Sequence, residues 1–457
     1  MKVHRTRSIH RPVVTIDGKG LVSHAGVGLL SEMADRSGLT GAMSKAMGDC
    51  GISWHTHDPG VVLTHLAVAI ADGADCLSDL AVLREQTELF GPVASQATAW
   101  RAIEAVTAPE LRGIAAAVAL ARARVWSAAD LDLEALTLDF DATLVTAHSD
   151  KQDATPTYKR GFGFHPFGVW LDETNEPLAA MLRPGNAGAN NTADHIALLA
   201  EAIASLPEEY RAGHHPGQHP DTVTHPILAR ADSAGSTHGF VTTLVARNID
   251  FSLGYAIDGR VRNALLLTQE EHWEPAVNAD GTSRRDAYVV ELTDLIDLTT
   301  WAGGTRLICR RERPHPGAQL SLFDTAEGWR HTCFITNTPA GDIAALEVRH
   351  RGHARVEDRV RNWKNTGLGN LPFEDFVRNQ AWVAATVVAS CLLAWTQLVC
   401  LDGDLAVAEP KTLRYRLLHV AARLATRGRR LRMHIDNTWP WRHQLANAYT
   451  RLRHALP

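Results

Sequence analysis

Two rhythms of apolar residues divide the chain. From residue 22 to about 130 they recur at helical spacing, as in VGLLSEMADRSGL and VVLTHLAVAIADGADCLSDLAVL, which predicts a mostly helical N-terminal domain over residues 1–130. Pro59-Gly60 and the FGPV at 90–93 interrupt it. Then the period changes to two. In LTLDFDATLV (136–145), Leu136, Leu138 and Phe140 face one side of a strand and Thr137, Asp139 and Asp141 the other. FGFHPFGVWLD (162–172) and PLAAMLRPG (177–185), joined by a tight turn at 172–175, should complete an antiparallel meander. Asn190 or Asn191 caps a helix, TADHIALLAEAIASL; a strand (HPILARADS), a helix (GFVTTLVARN) and a strand (IDFSLGYAI) follow.

Three antiparallel strands, a helix, a strand, a helix and a strand is the order of a ribonuclease H-like α/β domain. Its first part would span 131–258. In that order the first and fourth strands lie side by side, so Asp141 and Asp232, which end them, should meet. Strand-like RDAYVVELT, TRLICRRER and HTCFITNT predict an inserted β-rich subdomain at 259–339. Helices return in a second part of the core, 340–401, around Glu357 and in an apolar stretch at 381–401. A basic helical tail, 402–457, closes the chain. Within the N-terminal domain, CLSDLAVLREQ, the FGPV turn and ASQATAWRAIEAV are a helix-turn-helix candidate with Ser95 as N-cap.

The net charge of −5 argues against a nucleic-acid partner only until its distribution is considered. From Glu409 to the end, Lys411 and ten arginines face Glu409 and Asp436, so 11 − 2 = +9. Six cysteines without a CxxC pair indicate neither a zinc ribbon nor a disulfide framework, and reduced thiols in a cytoplasm are expected. The basic N-terminus lacks the apolar region of a secretory signal. The 381–401 stretch has the length of a membrane span, but its Thr386, Ser390, Thr396 and Gln397 favour a central buried helix, and no membrane partner is expected.

The carboxylates suggest a chemistry. Asp141, Asp232 and Glu357 come from distant parts of the chain, as two-metal phosphoryl transfer requires of hard, anionic, bridging ligands. Asp141 would bridge the ions, Asp232 would bind one and Glu357 the other. Around Glu357 stand Arg349, Arg351, Arg355, Arg359, Arg361 and Lys364, a phosphate track if they are free and a set of helix-face ion pairs if they are not.

DFDATL, LARADS, LRPGN, the arginine-rich helix with its Glu-Asp pair and downstream lysine, and the PKTLRYRLLHVAARL tail together resemble the DDE-class insertion-sequence transposases. The resemblance is specifically to the insertion-sequence 1380 family within the insertion-sequence 4-like group. It implies Asp141, Asp232 and Glu357 as catalytic metal ligands, with Mg²⁺ as cofactor and Mn²⁺ able to substitute. The group's Tyr-x2-Arg-x3-Glu-x6-Lys signature falls here on His350, His353, Glu357 and Lys364, so two of its four positions depart. With Arg351, Arg355 and Arg361, the positions His350, His353 and Lys364 are the expected DNA contacts, and Trp301 is the residue expected to stack on a flipped base. The implied partners are double-stranded DNA with terminal inverted repeats and target DNA, held by a homodimer in the DNA complex, at the nucleoid. The histidine departures motivate an alternative, a catalytically inactive DNA-binding relative. An unrelated hydrolase using Asp139 and Asp141 as acid and base would explain neither the basic tail nor the Glu357 helix.

Overall fold

The computed structural model describes residues 14–457, apart from 49, 51–55, 315, 318–319, 340 and 429; the basic N-terminal start lies outside the described residues. The N-terminal helices include Pro59–Asp72 (α1), opened by the Asp58 side chain on the Val61 N–H, and Ala108–Ala128 (α2), opened by a Thr107/Glu110 capping box. Ser95 caps the helix Gln96–Glu104 through the Thr98 N–H. The helix expected before it is not continuous. A 3₁₀ turn (Leu77–Leu80) and two short helices (Ala81–Arg84 and Thr87–Phe90) stand there, with the chain broken at Gln86, φ −119° and ψ 53°.

The sheet has nine strands: Leu136–Ala142 (β1), Phe167–Leu171 (β2), Pro177–Met181 (β3), Ile227–Ala231 (β4), Asp250–Tyr255 (β5), Glu274–Val277 (β6), Ser283–Glu291 (β7), Arg306–Glu312 (β8) and Arg330–Thr336 (β9). Their order is β6-β7-β8-β9-β5-β4-β1-β2-β3. β1, β2 and β3 pair antiparallel, while β4 lies parallel to β1 and β5 parallel to β4. Between β3 and β4 runs Thr192–Ser205 (α3), capped by Asn191; between β4 and β5 runs His238–Ala246 (α4), capped by Thr237. The segment expected as an inserted subdomain extends this sheet, because β9 pairs antiparallel with β5, setting Cys333 opposite Tyr255. Its register therefore ties it to the strand beside Asp232.

After the sheet come Ile343–Arg351 (α5), a 3₁₀ turn, Val356–Trp363 (α6) and the long Phe376–Cys400 (α7). α7 is long and apolar enough to cross a membrane, yet most of it is buried against the N-terminal helices. Trp382 and Trp395 are fully enclosed, and the Trp395 indole donates to Glu176 Oε2 at 2.8 Å. Arg122 and Trp126 of α2 donate to the same buried carboxylate at 2.8 and 2.7 Å, so one residue of the β2–β3 turn joins two helices distant in sequence.

The C-terminal segment corrects the expectation of a wholly helical tail. Ala422–Arg427 (β10) and Arg430–Ile435 (β11) form an antiparallel hairpin, joined on one side by Leu21–Val22, before the final helix Arg442–Ala455 (α8). Apolar residues alternate at period two (Ala422, Leu424; Met433, Ile435), and Gly428 supplies the positive φ of 57° at the turn. Ala422, Met433 and Ile435 join the same core as the N-terminal helices and α7. A second core packs α3 and α4 against the sheet.

Candidate active site

Pairing between β1 and β4 sets the site. Phe140 lies beside Ala231 in parallel register, so the next residue of each chain, Asp141 and Asp232, emerges at the same edge of the sheet. Asp232 opens a 3₁₀ turn and its side chain accepts the Ala234 N–H at 2.9 Å. This turn crosses tightly over β5 at Gly254, where a Cβ would sit 2.7 Å from the Ser233 nitrogen and 2.9 Å from the Asp232 carbonyl carbon. Only a residue without a side chain admits that crossing.

Glu357, in the first turn of α6, is exposed, and α6 is fastened to the sheet by buried charges. Asp139, fully enclosed on β1, accepts Arg230 Nε and Nη2 at 2.8 Å each, Arg359 Nη1 at 2.6 Å and an imidazole contact from His353 at 3.0 Å. Asp172 accepts Arg230 at 2.8 Å and also pairs with Arg355 and Arg359. Burial raises the carboxyls of Asp139 and Asp172, but the hydrogen bonds from their cationic partners outweigh it and hold both below the usual range. Just beyond α6, Lys364 Nζ donates to the Leu144 carbonyl at 2.9 Å, joining the helix end to the loop after β1. Burial and Lys159 lower the Lys364 ammonium, and Asp141 opposes them.

Asp232 and Glu357 both act on Asp141. Asp141 is raised to about 6, by burial first, with Asp232 and Glu357 adding to the shift and His353 opposing it. Negative groups crowded around one half-buried carboxylate suit a divalent cation, and three carboxylates are the donor chemistry of Mg²⁺ or Mn²⁺. Their oxygens are not all within 4.8 Å of one another; among the described residues only His24/Asp72/His419 and Asp75/Cys76/Asp79 are so compact.

Other expected contacts are placed differently. His350 is partly buried and engaged inside the protein: its ring stacks on Phe334 at 4.4 Å and 9°, and its Nδ1 meets Ser252 Oγ at 3.0 Å. Burial and the neighbouring His353 lower it to about 3. The cations around Glu357 are engaged within the protein. Arg349 holds Thr338, Arg351 the Val277 carbonyl and Glu347, Arg355 Asp172, and Arg361 Asp358 and Glu409. Trp301 is half-buried, with ring centroids 4.1 Å from His238 and 5.8 Å from Tyr255. Tyr255 ends β5, parallel to β4, so Trp301 lies at the edge from which Asp232 emerges. Sequence reasoning missed Arg230, Asp172 and Arg359 as the frame of the site; the arginine inside the apolar strand ILARA was the available signal.

A family model described as transposase DDE domain, group 1, matches residues 5–457. The chain belongs to this family. Members are DNA transposases, so DNA transposition is the setting for the chemistry of this transposase. A solved structure, the cryo-EM synaptic complex of the piggyBac transposase with hairpin DNA, aligns over 85% of this chain and 77% of that one. Its TM-score is 0.41 and its identity 10%, a likeness too distant to bear on residue roles. No curated protein matches the chain.

Proposed function

We propose that this transposase cleaves the ends of an insertion sequence and joins the freed 3′-hydroxyl to target DNA by two-metal phosphoryl transfer. Asp141, Asp232 and Glu357 act as the ligands, on a ribonuclease H-like core of the insertion-sequence 1380 type. The observation that carries this reading is the parallel pairing of β1 with β4, which aligns Asp141 with Asp232 while Arg359 and Lys364 fasten the glutamate helix across β1. The bound ions would activate water, and then the 3′-hydroxyl, and stabilise the leaving oxygen.

The chain's own residues do the positioning. Asp141, on which both other carboxylates act, is the natural shared ligand; two ions about 4 Å apart need donors spread more widely than one ion does. Arg230 and Arg359 hold β1, β4 and α6 in register, so that Glu357 is presented from a fixed helix. Trp301 offers a ring for an unstacked base at the same sheet edge. Inverted-repeat ends and target DNA are the partners, and a homodimer pairs the ends. The stacking of His350 on Phe334 and the contact of His353 with Asp139, beside Asp141, support a structural use of both departures from the family signature.

The test is cleavage of the element's own end DNA with Mg²⁺ or Mn²⁺. Asp141→Asn, Asp232→Asn and Glu357→Gln should each abolish cleavage while leaving DNA retention in a gel unchanged. Wild-type protein that binds its end DNA but never nicks it with either ion would refute the reading.

A further inference from the structure

The arginines that looked like a phosphate track are spoken for inside the protein, which leaves open what holds the DNA outside the scissile region. The β10–β11 hairpin offers a different set. In its register Arg423 faces His434, Ala425 faces Arg432 and Arg427 faces Arg430, so these six residues share one face. All but Ala425 are exposed. The opposite face carries Ala422, Leu424, Met433 and Ile435, and it is seated on the helical core. Neither strand contains an acidic residue, and none of Arg423, Arg427, Arg430 and Arg432 has an ion pair or side-chain hydrogen bond among the described residues. That contrasts with Arg349, Arg351, Arg355, Arg359 and Arg361, every one of which has a partner.

We propose that the arginine face of this hairpin is a sequence-independent contact for the backbone of duplex DNA, separate from the carboxylate site. This rests on the transposase reading and adds to it the surface that supplies non-specific affinity. Charge and dimension both fit. Four residue steps along a strand span roughly 14 Å, over which a duplex presents about eight phosphate charges. Among the described residues the guanidinium groups have no partner, so no internal ion pair has to be exchanged on meeting phosphate. The face has no strand pairing with the catalytic sheet and packs instead on the helices of the first core, so it can hold flanking duplex without entering the chemistry.

The test compares full-length wild type with the quadruple variant Arg423→Gln/Arg427→Gln/Arg430→Gln/Arg432→Gln on a random-sequence duplex across a salt series. Each lost phosphate contact lowers the slope of log K against log salt by about 0.9, so a fall of roughly 2 to 4 is expected. Circular dichroism and thermal midpoint should stay at wild type, because the altered side chains are exposed and unpaired. The matching Arg→Lys quadruple variant should keep the slope. A slope within one of wild type in the Gln variant, or an equal loss in the Lys variant, overturns the proposal. So does a Gln variant that loses binding to phosphatidylserine vesicles while its DNA slope is unchanged. These results leave end cleavage intact and the transposase reading standing. A wild-type protein that binds no duplex at all overturns both.

Discussion

Asp139→Asn tests whether the glutamate helix is held by buried charge. Asp139 is fully enclosed and meets two arginines through three contacts of 2.6–2.8 Å. With Asp172 it balances Arg230 and Arg359, two negative groups against two positive, leaving aside the largely exposed Arg355. The amide keeps the shape but leaves one buried positive charge uncompensated and turns an NH₂ toward a guanidinium. Removing one member of a buried pair costs about 3–5 kcal/mol. With a urea m-value of about 3 kcal/mol/M, the unfolding midpoint should fall by about 1 to 1.7 M, read from intrinsic tryptophan fluorescence, to which the buried edge-on pair Trp170 and Trp363 contributes. Combining Asp139→Asn with Arg359→Gln restores the charge balance, so the double variant should lose less than the sum of the two single losses, with a coupling of about 1 kcal/mol or more. Cleavage should fall further than the folded fraction does, because Glu357 loses its anchor. An Asp139→Asn midpoint within about 0.3 M of wild type, or strictly additive losses, would refute the reasoning.

Other predictions concern the rest of the chain. His24 and His419 stack at 4.0 Å and both meet Asp72, at 2.6 and 2.9 Å, tying the start of the described chain to its C-terminal part. The Asp72 contact raises His419 above its ordinary 6.5; burial raises Asp72 but its imidazole partners win and lower it below 3.8. A raised histidine stabilises fully below 6.5 and loses its effect as pH rises through its folded value. A lowered aspartate stabilises above 3.8 and loses its effect as pH falls. The clasp should therefore be strongest between about 4 and 6.5, and His419→Gln should remove the fall in thermal midpoint on the alkaline side; an unchanged pH profile would count against it. Trp301→Ala should weaken cleavage by roughly 5- to 150-fold, the equivalent of 1–3 kcal/mol for one base stack, with duplex binding preserved; equal loss of both would assign the ring to packing. Removing divalent ions with a chelator should stop cleavage, and adding Mn²⁺ should restore it.

The side-by-side placement of the strands that lead to Asp141 and Asp232 was legible because strand alternation and element order are local signals that fix topology. The role of Asp139 was not. Alternation says which residues share a face, and Asp139 shares one with Asp141, but it cannot say that α6 covers that face and brings Arg359 to it. Likewise the cations around Glu357 read as a track because their acidic partners, such as Asp172 and Glu409, lie far away in sequence. The hairpin was hidden by composition: Leu, Ala and Arg favour helices, and the period of two with Gly428 between its halves carried the contrary message. That the 259–339 strands extend the main sheet depends on the β9–β5 pairing, which leaves no mark in either strand alone.

The carboxylate of Glu176 has a consequence for how this protein is made. Its three donors besides Thr174 are Arg122, Trp126 and Trp395, the last encoded more than two hundred residues downstream. A nascent chain leaving the ribosome can bring α2 to the β2–β3 turn early, but the node closes only when α7 has been synthesised, and contacts of such long range are slow to form. Until then the apolar flank awaiting α7 stays open to solvent. The same wiring means that the transposase cannot be trimmed to its carboxylate-bearing half: a fragment ending before α7 would bury Glu176 with one of its indoles missing, and should be recovered as aggregate rather than as a smaller enzyme.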